Sequence, residues 1–156
     1  MKRICLAATV LLLAACGVQP SGVTDQGEAP TGVARGVTLY FVDAQGELSP
    51  QLRRTDRLGT ITEALALLLS DPGSDLRTEI APTGVTRVLV DTAPGLIQLR
   101  VPLATYEVTP LGIDQIVCTA LGVHVQSGGS TTTKVRVIFT SDTPESDEER
   151  SCPLIR

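Results

Sequence analysis

The chain has 156 residues, enough for one domain of ordinary size with its own hydrophobic core. It has 13 Lys and Arg and 17 Asp and Glu, which gives a net charge of −4. This charge argues against nucleic acid as a partner, because proteins that bind nucleic acid usually present a basic patch. The chain has few aromatic residues with which to form a surface for sugar stacking: two Tyr, two Phe and no Trp.

The first segment, residues 1–15, has the pattern of a lipoprotein signal peptide. A basic start is followed by an apolar stretch over 4–15 that is too short, at about 1.5 Å per residue, to cross a bilayer core of about 30 Å. LAAC at 13–16 resembles the bacterial lipobox, in which the cysteine becomes the lipidated first residue. We therefore predict lipidation of Cys16 and a location at the cell membrane, lipid-anchored and facing the extracytoplasmic side. An ordinary secretory signal is the alternative.

A linker and a folded domain are predicted to follow the signal. Residues 16–35 mix Gly, Pro, Ser, Thr and acids without a periodic apolar face, which is typical of a flexible linker behind the anchor. Residues 36–156 carry the apolar patterns of a folded domain.

The residue pattern in the first half of this domain predicts one strand and one helix. VTLYFV at 37–42 is a β-branched and aromatic run typical of a strand, and the polar DAQG at 43–46 predicts a turn. LSPQLRRTDRLG at 48–59 is expected to be an irregular connection or a short extended piece. Thr60 and Glu63 form a capping-box pattern ahead of a helix over 61–70, and Pro72-Gly73 ends it.

The second half predicts a hairpin, a helix and a last strand. Strands are expected over 85–91 and 96–101, joined by a turn, and over 134–140. Thr109-Pro110 begins an amphipathic helix, which ends either at Gly122 or at the SGGS glycines. SDTPESDEER at 141–150 is expected to be a solvated acidic segment. The order β-α-β-β-α-β predicts an α+β domain with a mainly antiparallel sheet and two helices on one of its faces.

Two cysteines, Cys118 and Cys152, remain once the signal and the anchor are set aside. In a compartment that permits disulfides they predict one bridge, which would tie the second helix to the C-terminal tail. Two unpaired thiols are the alternative. Two cysteines and the lone His124 match neither the number nor the spacing of a zinc site, so no metal is predicted.

The ordered set of elements resembles the GerMN (sporulation/spore germination) domain of small actinobacterial lipoproteins. The matching segments lie in order over 36–140: VTLYFVDAQGEL, ITEALALLLSDP, LRTEIAPTGVTRVLV, LIQLRV and DQIVCT. The resemblance implies a small domain similar to the ring-building motifs of secretion and sporulation assemblies. It also implies a non-catalytic interaction or assembly role in the cell envelope, with a link to sporulation or germination. The family supplies no catalytic residues to carry over.

The sequence shows no catalytic constellation of its own, and we predict no enzyme activity and no cofactor. His124 has Ser127 and Ser130 nearby, but there is no G-x-S-x-G elbow. Asp43 and Asp91 follow predicted strands, where active-site carboxylates often lie, yet aspartate is also a common turn residue.

Arg53, Arg54 and Arg57 form the densest basic cluster and are the candidate partner contacts. They would meet an acidic partner or an anionic wall polymer; a solvated loop is the simpler alternative. The expected partners are the membrane, through lipidated Cys16, and an envelope protein or a second copy of the chain. Two other functions stay open: a small-molecule-binding lipoprotein, which needs a well-formed pocket, and a cell-wall-active enzyme.

Overall fold

A computed structural model describes residues 36–70, 76–141 and 143–156. The predicted signal peptide, the lipidation site and the linker lie outside the described residues. The described part of the chain forms six strands and three helices: β1 (Val37–Val42), β2 (Leu48–Arg53), α1 (Ile61–Leu68), β3 (Leu89–Ala93), β4 (Leu96–Arg100), α2 (Pro110–Gln126), β5 (Lys134–Ile138), α3 (Pro144–Asp147) and β6 (Glu149–Arg150).

The predicted α+β class with mainly antiparallel strands is confirmed. The predicted order β-α-β-β-α-β corresponds to β1, α1, β3, β4, α2 and β5, and the structure adds β2, α3 and β6. The strands lie in two sheets, not one: β1 pairs with β2, and the second sheet has the order β3-β4-β5-β6. Within the second sheet β4 and β5 are parallel, and the other neighbours are antiparallel.

Strand β2 lies where the sequence left open an irregular connection or a short extended piece, and the extended alternative is the one observed. Its Pro50 stands opposite Tyr40 of β1. The backbone N–H of Tyr40 donates to Thr119 Oγ1, and its carbonyl accepts from Gln115 Nε2, so Tyr40 takes no hydrogen bond from β2. The missing N–H of proline therefore costs this pair nothing, which is why a proline-containing segment can form a strand here.

The acidic segment is more ordered than predicted. Residues 144–147 form α3, and Glu149–Arg150 pairs with β5 as β6. Ser146 is buried, and its Oγ accepts a hydrogen bond from the backbone N–H of Phe139. Arg136 of β5 and Glu149 of β6 form an ion pair of 2.7 Å. These contacts across the β5–β6 pair hold the segment against the sheet.

Helix α2 lies at the centre of the described domain. It contacts β1, β5 and α1, and apart from the partly exposed Asp114 every residue over 112–123 is buried. It runs to Gln126, so Gly122 does not end it. A Cβ at Gly112 would overlap the carbonyl oxygen of Glu79, and one at Gly122 would lie 3.3 Å from the Tyr40 ring. At both glycines the missing Cβ therefore allows neighbouring groups to approach the helix closely.

On the edge of β1 that faces away from β2, the backbone groups of Tyr40 hydrogen-bond to side chains of α2. Gln115 and Thr119 are both fully buried, and both bond to the backbone of Tyr40. Gln115 Oε1 also accepts from the backbone N–H of Glu79 at 2.8 Å. Helix side chains thus take the place of a neighbouring strand, because a buried strand edge needs partners for its N–H and C=O groups.

Candidate functional site

The lone histidine has a structural environment. His124 Nε2 lies 3.2 Å from Thr133 Oγ1, and Gly129 packs so closely that a Cβ there would overlap the imidazole ring. Ser127 Oγ donates to the carbonyl of Val123, and Ser130 Oγ bonds to Thr132. Neither serine hydroxyl hydrogen-bonds to the His124 imidazole. The nucleophile–base contact that the hydrolase alternative requires is therefore not formed by these residues.

The two candidate carboxylates, Asp43 and Asp91, have separate surroundings and share no contact partner. Asp43 Oδ1 accepts from the backbone N–H groups of Gln45 and Glu47, which closes the β1–β2 turn. Asp91 lies within β3, opposite Gln98 of β4, with its side chain exposed. Asp43 is therefore explained as a turn residue, whereas Asp91 belongs to a sheet surface.

The three arginines do not converge on one site. The Arg53 guanidinium lies 5.7 Å from the centre of the Phe41 ring, a cation–π contact at the end of β2. Arg54 is exposed. Arg57 bonds to Glu63 Oε1 at 2.6 Å, and both side chains are largely solvent-exposed. Their role as partner contacts stays a prediction.

Glu63 organises the start of α1. Its carboxylate accepts from the backbone N–H of Thr60, and Thr60 Oγ1 accepts from the Glu63 N–H, so the predicted capping box is present. The hydrogen bond from the Thr60 N–H, followed by that from Arg57, lowers the pKa of the Glu63 carboxyl. The ionised form is therefore the one that caps this helix.

A shallow groove runs beside α1. It has a volume of about 340 Å³ and is lined on the helix side by Ala66 and Leu67 and on the loop side by Thr55 and Arg57. A second depression, of about 370 Å³, is bordered by Tyr106, whose side chain is 90% exposed. Small-ligand sites have volumes of this order, but they enclose most of the ligand and bring several polar groups together.

The predicted pairing of the two cysteines is present. The Sγ atoms of Cys118 and Cys152 lie at bonding distance, 2.06 Å apart, and both residues are buried. The bridge joins the middle of α2 to the chain that follows β6. Such a bond is compatible with an extracytoplasmic location, since disulfides persist in oxidising compartments.

The four-stranded sheet presents one open face. Its core face carries the buried Ile97, Leu99, Val135 and Val137. The register places a second set of side chains on the opposite face, and none of them is buried: Leu89, Asp91, Ala93, Leu96, Gln98, Arg100, Lys134, Arg136, Ile138 and Glu149. This mixed apolar and charged surface, the outer sheet face, is not covered by any helix of the described chain.

Strand β3 continues the outer sheet face to an edge. Among the residues that the structure describes, no further strand pairs with β3 beyond this edge. The backbone N–H of Val101 donates to Ile138 in β5, so by alternation Gln98 and Arg100 turn their backbone groups toward β3. Their partners there are Asp91 and Leu89, which leaves the N–H and C=O of Val90 pointing away from the sheet.

This surface is a feature that the sequence pattern alone did not indicate. The strand predicted over 85–91 overlaps β3 only at 89–91, because β3 begins at Leu89 and continues to Ala93 in the predicted turn. The alternation of exposed and inward side chains could have been traced within the predicted range. Which of the two faces is left uncovered depends on where α1 and α2 pack, and that follows only from the tertiary structure.

Comparison with protein-family models, with curated proteins and with solved structures gives no match for this chain. In the described ranges no three His, Cys, Asp or Glu side chains are grouped so as to hold a metal ion. Across the same ranges no helix combines the length and the apolar character needed to cross a membrane.

Asp114 of α2 gives a pH-dependent prediction. Burial raises the pKa of its carboxyl, opposed by the charge of Arg150 and reinforced by that of Glu148. A raised folded-state pKa favours the protonated form, so the wild-type chain loses stability as the pH rises from the ordinary aspartate pKa of about 3.9 through the higher folded value. Asp114→Asn cannot ionise, and we expect its free energy of unfolding, relative to wild type, to increase across that interval in urea titrations.

The matched control is Asp147→Asn, which removes an exposed carboxylate and so corrects for the change in net charge. A difference between Asp114→Asn and wild type that stays flat or shrinks as the pH rises would contradict the burial argument.

Proposed function

We propose that this protein is a lipid-anchored, extracytoplasmic lipoprotein whose domain acts as a non-catalytic interaction and assembly module in the cell envelope. The observation that carries the proposal is the outer sheet face, which runs uncovered to the edge of β3. An open sheet edge is a template for a further strand, and folded proteins usually cover or blunt such edges. A surface of this kind is suited to binding another protein.

Two features support the location. LAAC at 13–16 places a cysteine where a lipoprotein signal ends, and the lipid on Cys16 would hold the domain at the membrane. The buried pair Cys118 and Cys152 stands at disulfide distance, as expected of a chain that folds outside the reducing cytoplasm.

The resemblance to GerMN domains supports the assembly role, and with it a link to sporulation or germination. The elements that carry the resemblance are found in the same order as β1, α1, β3, β4, α2 and β5. A ring-building type of domain acts by contacting its neighbours. Part of the proposed surface, on Leu89 and on β4, lies in segments that carry the resemblance.

The proposal is tested by site-specific photo-cross-linking on intact cells. A photo-reactive amino acid in place of Arg100, whose side chain is exposed on the outer sheet face, should give adducts of discrete mass. The same group in place of Gln45, exposed in the β1–β2 turn, is the matched control and should give background only. Mass spectrometry of the adducts then identifies the partner.

Two outcomes would count against this role. Identical adduct patterns from the two positions, or none from Arg100, would remove the outer sheet face as an interaction surface. A Cys16→Ser chain should leave the membrane fraction; if it stays there, the proposed anchor is wrong.

Binding of a small molecule is a second candidate, favoured by the groove beside α1. Its apolar floor around Leu67 and the Arg57–Glu63 pair at its rim offer both contact area and charge. A rise in Tm with one compound from a ligand screen, together with no adduct from Arg100, would favour this second function over the first.

A further inference from the structure

The edges of the two sheets are protected to different degrees in the described domain. The outer edge of β2 contains Pro50, which has no N–H to offer, and β6 is only two residues long. The inner edge of β1 is occupied by Gln115 and Thr119. Strand β3 has none of these devices: its sequence LVDTA contains no proline, and it ends the larger sheet. It is therefore the edge most open to strand addition.

The side chains ahead of and within β3 alternate in exposure over residues 85–91, and the last two residues of the strand, 92 and 93, are both exposed. Every odd-numbered residue from Val85 to Ala93 is exposed, with Val85 at 57% and Leu89 at 56%. Of the even-numbered residues Val88 is buried and Val90 partly buried. The period of two thus extends ahead of the strand itself, so the chain before Leu89 is shaped to continue an extended edge.

The odd-numbered residues are complementary to themselves in one antiparallel register. With a two-fold axis at Leu89, the Leu89 side chains of two copies meet, and Arg87 of each copy faces Asp91 of the other. Val85 of each copy then faces Ala93. Moving the axis by one residue along the strand places Arg87 opposite Ala93 or Leu89 and leaves both charges without a partner. Only the first register pairs every charge and every exposed apolar side chain.

The backbone supports the same register. Val90 turns its N–H and C=O away from β4, and by alternation Val88 does so too. In the register centred on Leu89, Val88 of one copy stands opposite Val90 of the other. The outward-pointing groups therefore meet outward-pointing groups, and Leu89 occupies a non-hydrogen-bonded position, where facing side chains are closest.

We infer that a second copy of this chain binds at β3, edge to edge and antiparallel, so that two four-stranded sheets join into one of eight strands. This deepens the proposed assembly role, on which it rests, by naming the partner. The contact is isologous, as the commonest oligomer interfaces are. A lipid anchor confines both copies to one membrane surface, which raises their effective concentration and allows a modest interface to be occupied.

The test uses disulfide trapping of the full-length chain in its own membrane. Leu89→Cys places a thiol opposite itself across the two-fold axis. Facing pairs at non-hydrogen-bonded positions lie at the close end of their range, with a Cβ–Cβ separation of about 4.5 Å, and a disulfide spans up to about that distance. The matched control is Leu52→Cys on β2, where the native side chain is 58% exposed against 56% for Leu89. We expect a dimer band on non-reducing gels for Leu89→Cys and at least about a five-fold weaker one for Leu52→Cys.

Charge reversal then tests the register. In the Leu89→Cys background, Arg87→Asp or Asp91→Arg alone places like charges opposite each other twice per dimer and should weaken the dimer band by about five-fold or more. The combination of both reversals restores two ion pairs and should recover the band. Equal bands for the two cysteine positions, or no recovery in the double reversal, would overturn the self-pairing.

The outcomes separate this inference from the proposed function. If the thiol introduced at Leu89 forms a mixed disulfide with a different envelope protein, the second copy is the wrong partner, while the interaction role stands. If neither trapping at Leu89 nor photo-cross-linking from Arg100 yields any adduct, both fail together.

Discussion

Replacing Cys118 and Cys152 together by Ala is expected to lower the free energy of unfolding by about 3–4 kcal/mol. The bridge closes a loop of 34 residues in sequence, so its loss lets the unfolded chain explore many more conformations. It also frees the end of the chain, and the segment with α3 and β6 is then held to the sheet by its contacts with β5 and Phe139. Urea denaturation followed by far-ultraviolet circular dichroism measures the change, since the chain has no Trp.

Two comparisons isolate the cross-link from the loss of buried sulfur. The wild-type chain in excess reductant should fall close to the double variant in stability. Ser151→Ala, which removes only the exposed hydrogen bond from Lys134 Nζ beside the bridge, should change stability by less than about 1 kcal/mol. A double variant within about 1 kcal/mol of wild type would mean that the tail is held by packing and by the β5–β6 pairing rather than by the disulfide.

Local signals predicted those elements whose ends are fixed by nearby residues. The Thr60–Glu63 capping box and the Thr109 cap followed by Pro110 place the starts of α1 and α2 where the sequence put them. The alternation in β4 likewise marked its buried face. These features need only a few neighbouring residues, so a single sequence is enough to predict them.

Elements that depend on distant partners were left undecided or predicted incompletely. Strand β2 forms because Tyr40 directs its hydrogen bonds toward α2, a contact made by Thr119, 79 positions further along the chain. Helix α2 is buried on nearly all sides, and Gly112 and Gly122 allow its neighbours to approach closely. The pattern of apolar residues along a helix does not show which other elements will pack against it. Tertiary contacts determine both outcomes.

The candidate sites show the same division. The cysteine pair was predictable because few cysteines were left to pair. The arginine cluster could be recognised in the sequence, but its side chains make separate contacts within the domain. Arg53 lies over the Phe41 ring, and Arg57 pairs with Glu63. The open edge at β3 was hidden inside an ordinary strand pattern, since exposure of a face is a property of the assembled fold.

The buried contacts of Gln115 give the second large prediction. Gln115→Leu keeps most of the side-chain volume but removes both hydrogen-bonding groups. The Tyr40 carbonyl and the Glu79 N–H would then lose their partners inside the domain. Each unsatisfied buried group costs about 1–3 kcal/mol, so for the two groups together we expect the free energy of unfolding to fall by about 2–6 kcal/mol. Urea denaturation measures the loss.

Gln126→Leu is the matched control, because Gln126 lies on the same helix and bonds Thr38 Oγ1 from an exposed position. Solvent can replace that bond, so the control should change stability by less than about 1 kcal/mol. If the two variants lose the same amount, the cost comes from placing leucine on α2 and not from the β1 edge. A large difference would mean that the edge of β1 depends on the side chains of α2, which occupy the position that a neighbouring strand fills in an ordinary sheet.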